Sequence, residues 1–177
     1  MRRSAFLLIA VGFVLLAVLG GRAISGQDKY TLQVPDGLTF SEFRGYEHWK
    51  VVAVSHNGDA LATILGNPAM IEAYKAGVPG NGKPFPDGAK MAKIHWNAKK
   101  SSEAPAPTLV PDTLHDVDFM VRDSKRFADS GNWGYAQFNY DTASDTFTPL
   151  GTGAACGFSC HTIVKAKDYV FTAYPKR

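Results

Sequence analysis

The sequence predicts an α+β fold in a single domain, a mainly antiparallel β-sheet with a few short helices. Three observations lead there. Apolar runs rich in β-branched residues flank Asn57-Gly58-Asp59, the pattern of a hairpin and its turn. Residues 89–96 and 114–122 alternate side by side, the period of a strand. The helical signals are short, and the clearest runs only from Asn67-Pro68 to Gly77.

Ahead of the sheet, Met1-Arg2-Arg3-Ser4 precedes an apolar run from Ala5 to about Leu19, and Ala23-Ile24-Ser25 fits the small-x-small cleavage rule. This predicts a signal peptide over residues 1–25 and a mature domain over 26–177. The alternative is an uncleaved membrane anchor, but the run is shorter than the ~20 residues that a spanning helix prefers. Export would take the chain to an oxidising compartment, the periplasm. Residues 1–25 hold Arg2, Arg3 and Arg22 and no acid, so sixteen cations then face sixteen anions in the mature chain. That balance gives no electrostatic case for nucleic acid or an anionic membrane as partner.

Along the mature chain, residues 26–37 read as an extended polar arm. Leu38 to Trp49 carries Phe40, Phe43, Tyr46 and Trp49 at spacings of three, which predicts a short helix. Lys50–Ser55 and Ala60–Leu65 form the hairpin. Asn67 caps the next helix with Pro68 at its first position, Met70, Ile71 and Tyr74 make its stripe, and Gly77 ends it. Residues 78–88 form a loop. In the strand Ala89–Trp96, one face holds Ala92, Ile94 and Trp96 and is read as core; the other holds Met91, Lys93 and His95 and is read as solvated, with a pocket wall as the alternative. Pro105, Pro107 and Pro111 make a loop of residues 101–113. Strands follow at Leu114–Arg122 and Asn132–Tyr140, with a short helix at Ser124–Ser130 between them and another after His161. The total is about five strands.

The stretch that carries chemistry is Cys156-Gly157-Phe158-Ser159-Cys160-His161. Two thiols followed at once by an imidazole suit covalent haem attachment: the thiols add to the porphyrin vinyl groups, and His161 reaches the iron. The usual motif places two residues between the cysteines, and this chain has three. The extra residue is expected to loop out, eased by Gly157. A zinc site would need a distant fourth ligand, since the chain has no third cysteine. A local disulfide would close a short, strained loop.

Phe43-Arg44-Gly45-Tyr46 to Trp49-Lys50, the turn and strand Pro86-Asp87-Gly88-Ala89-Lys90-Met91-Ala92-Lys93, the cysteine pair with His161-Thr162-Ile163-Val164-Lys165, and Asp168-Tyr169-Val170-Phe171-Thr172 together resemble the cytochrome P-460 family of exported c-type haem proteins. The resemblance implies a mainly antiparallel fold, a homodimer, one covalently attached haem c per chain, and an open iron face for a small nitrogen compound. It assigns Cys156 and Cys160 as thioether anchors and His161 as iron ligand. In the best-known members a lysine is joined to the haem ring and hydroxylamine is oxidised, with the electrons passing on to an acceptor, here expected to be soluble. The turn and strand point to Lys93 for that lysine, with Lys90 as the other candidate. A distal glutamate of those enzymes has no counterpart: nothing after Glu103 is glutamate, and Ala136 or Gln137 falls near its place. Asp116, Asp118 and Asp141 are the candidate substitutes.

Two functions therefore stand, a haem oxidoreductase acting on hydroxylamine and a non-catalytic cytochrome of the c-prime β type that binds nitric oxide or transfers an electron. The second would suit an apolar cap from Phe85, Phe119 or Phe138. A haem-free exported domain with a disulfide or zinc is the third reading.

Overall fold

A computed structural model describes residues 26–35, 37–150 and 153–176. The predicted signal peptide and its cleavage site lie outside the described residues. Among those residues, no helix is long and apolar enough to cross a membrane.

Among the described residues six strands run β1 (Lys50–Asn57), β2 (Ala60–Gly66), β3 (Lys90–Lys100), β4 (Leu109–Arg122), β5 (Trp133–Asp141) and β6 (Thr146–Pro149). They pair in that order into one antiparallel meander, so each strand lies beside its neighbour in sequence. The fold class is the one the sequence predicts. The sixth strand is additional, and its four residues are too few for alternation to register.

Among the described residues two α-helices are present, α1 (Pro68–Lys75) and α2 (Gly153–His161). Asn67 caps α1 by accepting from Met70 N at 3.0 Å, and Gly77 follows its C-terminus in the left-handed region (φ 88°). The predicted helix over residues 38–49 is instead two 3-10 turns, Phe40–Phe43 and Tyr46–His48. Gly45, at φ 80°, breaks the helix between them. Only Ala128–Ser130 of the predicted 124–130 helix is helical, again as a 3-10 turn, and Thr162–Lys167 is a third such case.

The loop after β3 is shorter than predicted because β4 begins at Leu109 and takes in Pro111, opposite Ala98. Strand β5 pairs only with Asp116–Arg122 of β4, so the first half of β4 is an edge, where a residue without an N–H is tolerated.

Alternation gives the sheet two working faces. Leu65, Ala92, Val117, Phe119, Val121, Ala136 and Phe138 lie on one, covered by Val34, Leu38, Phe40, Phe43 and Tyr46 from the N-terminal arm. Phe40 is the hub: its ring meets those of Phe119, Phe138 and Phe147 at 4.8–5.2 Å, and Phe43 stacks on Phe119 at 4.1 Å. Ile64, Met91, Met120 and Tyr135 lie on the other face, packed with Met70, Ile71 and Tyr74 of α1 and with Val170. The face of Met91 and Lys93 is therefore covered, and the reading of it as solvated is corrected: α1, α2 and the C-terminal segment close over it.

Phe40 is fully buried among five aromatic rings. Phe40→Ala should lower the unfolding free energy by about 3–5 kcal/mol, measured by urea denaturation.

Candidate functional site

The covered face of the sheet does not close completely. Between it, α2 and the C-terminal segment lies a cavity of about 700 Å³, within the range of small-molecule and cofactor sites. Sheet residues Ile64, Met91, Lys93, Asp118, Tyr135 and Gln137 line one side; Gly157, Cys160 and His161 of α2 and Val170–Ala173 of the C-terminal segment line the other.

Helix α2 lies against β5 because residue 157 has no side chain. A Cβ there would stand 2.5 Å from Cβ of Tyr135 and 2.6 Å from its Cγ. The extra residue of the cysteine motif does not loop out, which corrects the expectation. The segment is continuous α-helix, and residues 156 and 160 are one turn apart, about 6 Å along the axis. Gly157 thus serves close packing rather than a loop. Cys160 is exposed, a free thiol at the cavity wall.

His161 ends α2 between the rings of Tyr135 and Phe171, each 4.9 Å away. Its Nδ1 donates to the carbonyl oxygen of Tyr169 at 2.6 Å, which leaves Nε2 as the nitrogen with a lone pair. Burial, opposed by that hydrogen bond and aided by the charge of Lys93, holds the imidazole below its usual pKa. A neutral, oriented imidazole is what a metal ion takes as ligand.

The Tyr169 carbonyl is itself held in place. Asp168 and Tyr169 both occupy the left-handed region, at φ 51° and 63°, which for a bulky residue carries strain. The buried guanidinium of Arg122, at the end of β4, fixes this turn by pairing with Asp168 Oδ1 at 2.9 Å. Asp168 Oδ2 accepts from Phe85 N at 2.7 Å. Nothing in the sequence marks this support, because Arg122 and Asp168 stand far apart in the chain.

Lys93 and Lys90 are separated by the sheet. Lys93 lines the cavity, directly opposite Asp118 in the β3–β4 register. Lys90 donates to the Glu42 carbonyl oxygen at 2.6 Å and lies over the Phe43 ring, on the aromatic face.

Of the three candidate aspartates, Asp118 lines the cavity. Burial, then the charge of Asp116, raises its pKa to about 6 against the pull of His95, Lys93 and His115. Asp116 is buried at the next inward-facing position; burial pushes it up, but hydrogen bonds from His95 and His115 outweigh that and hold it below the usual range. Asp141 stands at the far end of β5 and accepts from Ala143 N at 2.8 Å. Gln137 also lines the cavity, beside Asp118 in the β4–β5 register.

The predicted aromatic cap is not assembled. Phe119 and Phe138 pack into the opposite face of the sheet, and Phe85 sits under Trp133 and Tyr74. The exposed aromatic at the cavity is Phe171.

Removing one partner of a buried ion pair strands the other's charge, so Asp168→Ala should cost about 3–5 kcal/mol of stability by chemical denaturation. The same variant should also release the Tyr169 carbonyl, seen as a changed His161 Nδ1–H resonance.

Residues 43–172 match the model of a family described as Cytochrome P460. A comparison with curated proteins found no match.

Proposed function

The chain belongs to the cytochrome P460 family, and from that membership we propose an exported mono-haem cytochrome that oxidises hydroxylamine or a similar small nitrogen compound. Membership in this family implies a haem cofactor. The observation that carries the reading further is one cavity lined by an oriented neutral imidazole, a free thiol, a lysine and an aspartate of raised pKa.

The cavity's donor set fits a haem. Its size is that of a cofactor site, its lining is largely apolar, and His161 bonds the backbone through Nδ1, not Nε2. Cys156 and Cys160 would hold the group by thioether bonds, and His161 would take the iron. When bound, the haem supplies a site for the substrate nitrogen and a path for its electrons to a soluble acceptor.

The remaining roles belong to the chain. Asp118 accepts a proton from the substrate, in place of the glutamate that this sequence lacks. Gln137 offers an amide beside it but no base. The apolar residues Ile64, Met91 and Val170 exclude water, which strengthens the field of each charge that stays inside. Lys93 is the amine for a bond to the ring. That bond would replace an N–H and a ring C–H by C–N, with two electrons passing to an external oxidant. Periplasmic location rests on the N-terminal pattern, and a homodimer on the resemblance.

Asp118 must be ionised to accept a proton, so hydroxylamine oxidation by the haem-loaded protein should rise with pH through about 6. Asp118→Asn should lower kcat by about 10²–10⁴ with haem content unchanged. Tight nitric oxide binding without hydroxylamine turnover in the unmodified protein would favour the non-catalytic cytochrome instead.

Lys93→Ala should convert a broad, red-shifted Soret band of the ferrous protein into an ordinary c-type spectrum, while Lys90→Ala should not. Identical spectra for Lys93→Ala and the parent would remove Lys93 from the ring.

A further inference from the structure

The β3–β4 ladder contains an irregularity beside the cavity. His95 pairs with Asp116, but its neighbour Trp96 pairs with Leu114, so His115 has no partner across the sheet. It is the extra residue of a β-bulge. In an unbroken strand His115 and Asp116 would project to opposite faces. The bulge turns them together, and His115 Nδ1 meets Asp116 Oδ2 at 2.5 Å.

Asp116 is gripped on its other side as well, with Oδ1 2.5 Å from Nδ1 of His95. Its side chain keeps 6% of its surface exposed, whereas that of His115 keeps 59%. Both carboxylate oxygens are thus occupied by imidazoles, one inside and one at the surface. The arrangement leaves His95 Nδ1 3.7 Å from Oδ2 of Asp118.

Asp118 needs a defined electrostatic setting if it is to take up protons from the cavity. Lys93 and His95 face it from β3, Asp116 and His115 from its own strand, and the neutral Gln137 from β5; His161 lines the cavity from α2. The Asp116 charge opposes ionisation of Asp118. His95, Lys93 and His115 pull the other way, His95 most strongly, and His95 is the one held by two hydrogen-bonded neighbours in series.

We propose that His95, clamped by Asp116 and the bulged His115, is a positioning residue that orients Asp118 at the cavity and sets its proton affinity. The inference deepens the reading of Asp118 as the proton acceptor and rests on it. The bulge is then a functional device: it brings an exposed imidazole to a buried carboxylate that no regular strand would let it reach.

The sign follows from the charges. His95 pulls the Asp118 carboxyl toward its ionised form, so removing His95 makes Asp118 hold its proton to higher pH. Removing His115, which acts from further away, has the same sign and a smaller size.

The test is an infrared titration of the haem-loaded protein carrying ¹³C-labelled aspartate. The protonated carboxyl band that disappears in Asp118→Asn identifies the residue, and its midpoint in the unmodified protein should lie near 6. In His95→Gln the midpoint should rise by about one pH unit, a tenfold gain in proton affinity. In His115→Gln, at an exposed position that folding tolerates, it should rise by less. The acid limb of hydroxylamine turnover should move by the same amounts.

An unmoved midpoint in both variants would overturn the proposal, as would a second metal ion bound with the iron and lost in His95→Gln. The band requires no substrate, so the two readings fail separately. A shifted midpoint without hydroxylamine turnover removes the enzyme and leaves the pairing, whereas turnover with an unmoved midpoint does the reverse.

Discussion

The pairing of Arg122 with Asp168 is the interaction on which the site depends. It joins the last residue of β4 to a turn after α2, and both side chains are almost fully buried. An ion pair in such a place gains little net stability, because desolvation offsets much of the attraction. Its value here is positional. With Asp168 fixed, the strained left-handed pair Asp168–Tyr169 is held, the Tyr169 carbonyl accepts from His161, and the imidazole has one tautomer and one orientation. Remove the guanidinium and each later step loses its support.

The sheet contributes a second constraint, which is separation. Alternation sends Phe119 and Phe138 to one face, where they interlock with Phe40 and Phe43. The opposite face keeps Ile64, Met91, Lys93 and Asp118 around an open volume. Lys90 and Lys93 stand three residues apart and therefore belong to different faces. One is spent on packing and hydrogen bonding, and the other is left for the cavity.

Electrostatics then divides the two inward aspartates. They share a strand and a face, yet Asp116 is held below the usual carboxylate range and Asp118 above it. Two imidazoles satisfy the first, and the negative charge of the first burdens the second. Pairs of acids pushed apart in this way are a common means of obtaining a group that titrates near neutrality.

Much of this was legible in the chain itself. The hairpin at Asn57-Gly58-Asp59, the capped helix after Asn67, the antiparallel class and the family resemblance all rest on local patterns or contiguous motifs, and these patterns act over a few residues whatever the rest of the molecule does. Phe40–Phe43 and Tyr46–His48 are two turns where the spacing predicts one helix, because a single glycine at φ 80° overrides a spacing of three. The β6 strand and the start of β4 carry no sequence signature because pairing, not propensity, makes them strands. The sequence points to Lys93 ahead of Lys90, and names Asp116, Asp118 and Asp141 without choosing among them. Which face is covered depends on where α1, α2 and the C-terminal segment fall. That in turn depends on contacts between residues far apart in the chain, such as Arg122 with Asp168 and Gly157 with Tyr135. A one-residue bulge at His115 reversed a side chain that alternation alone would have sent to the other face. Local chemistry thus set the elements and the reactive residues, and long-range packing decided which of those residues meet.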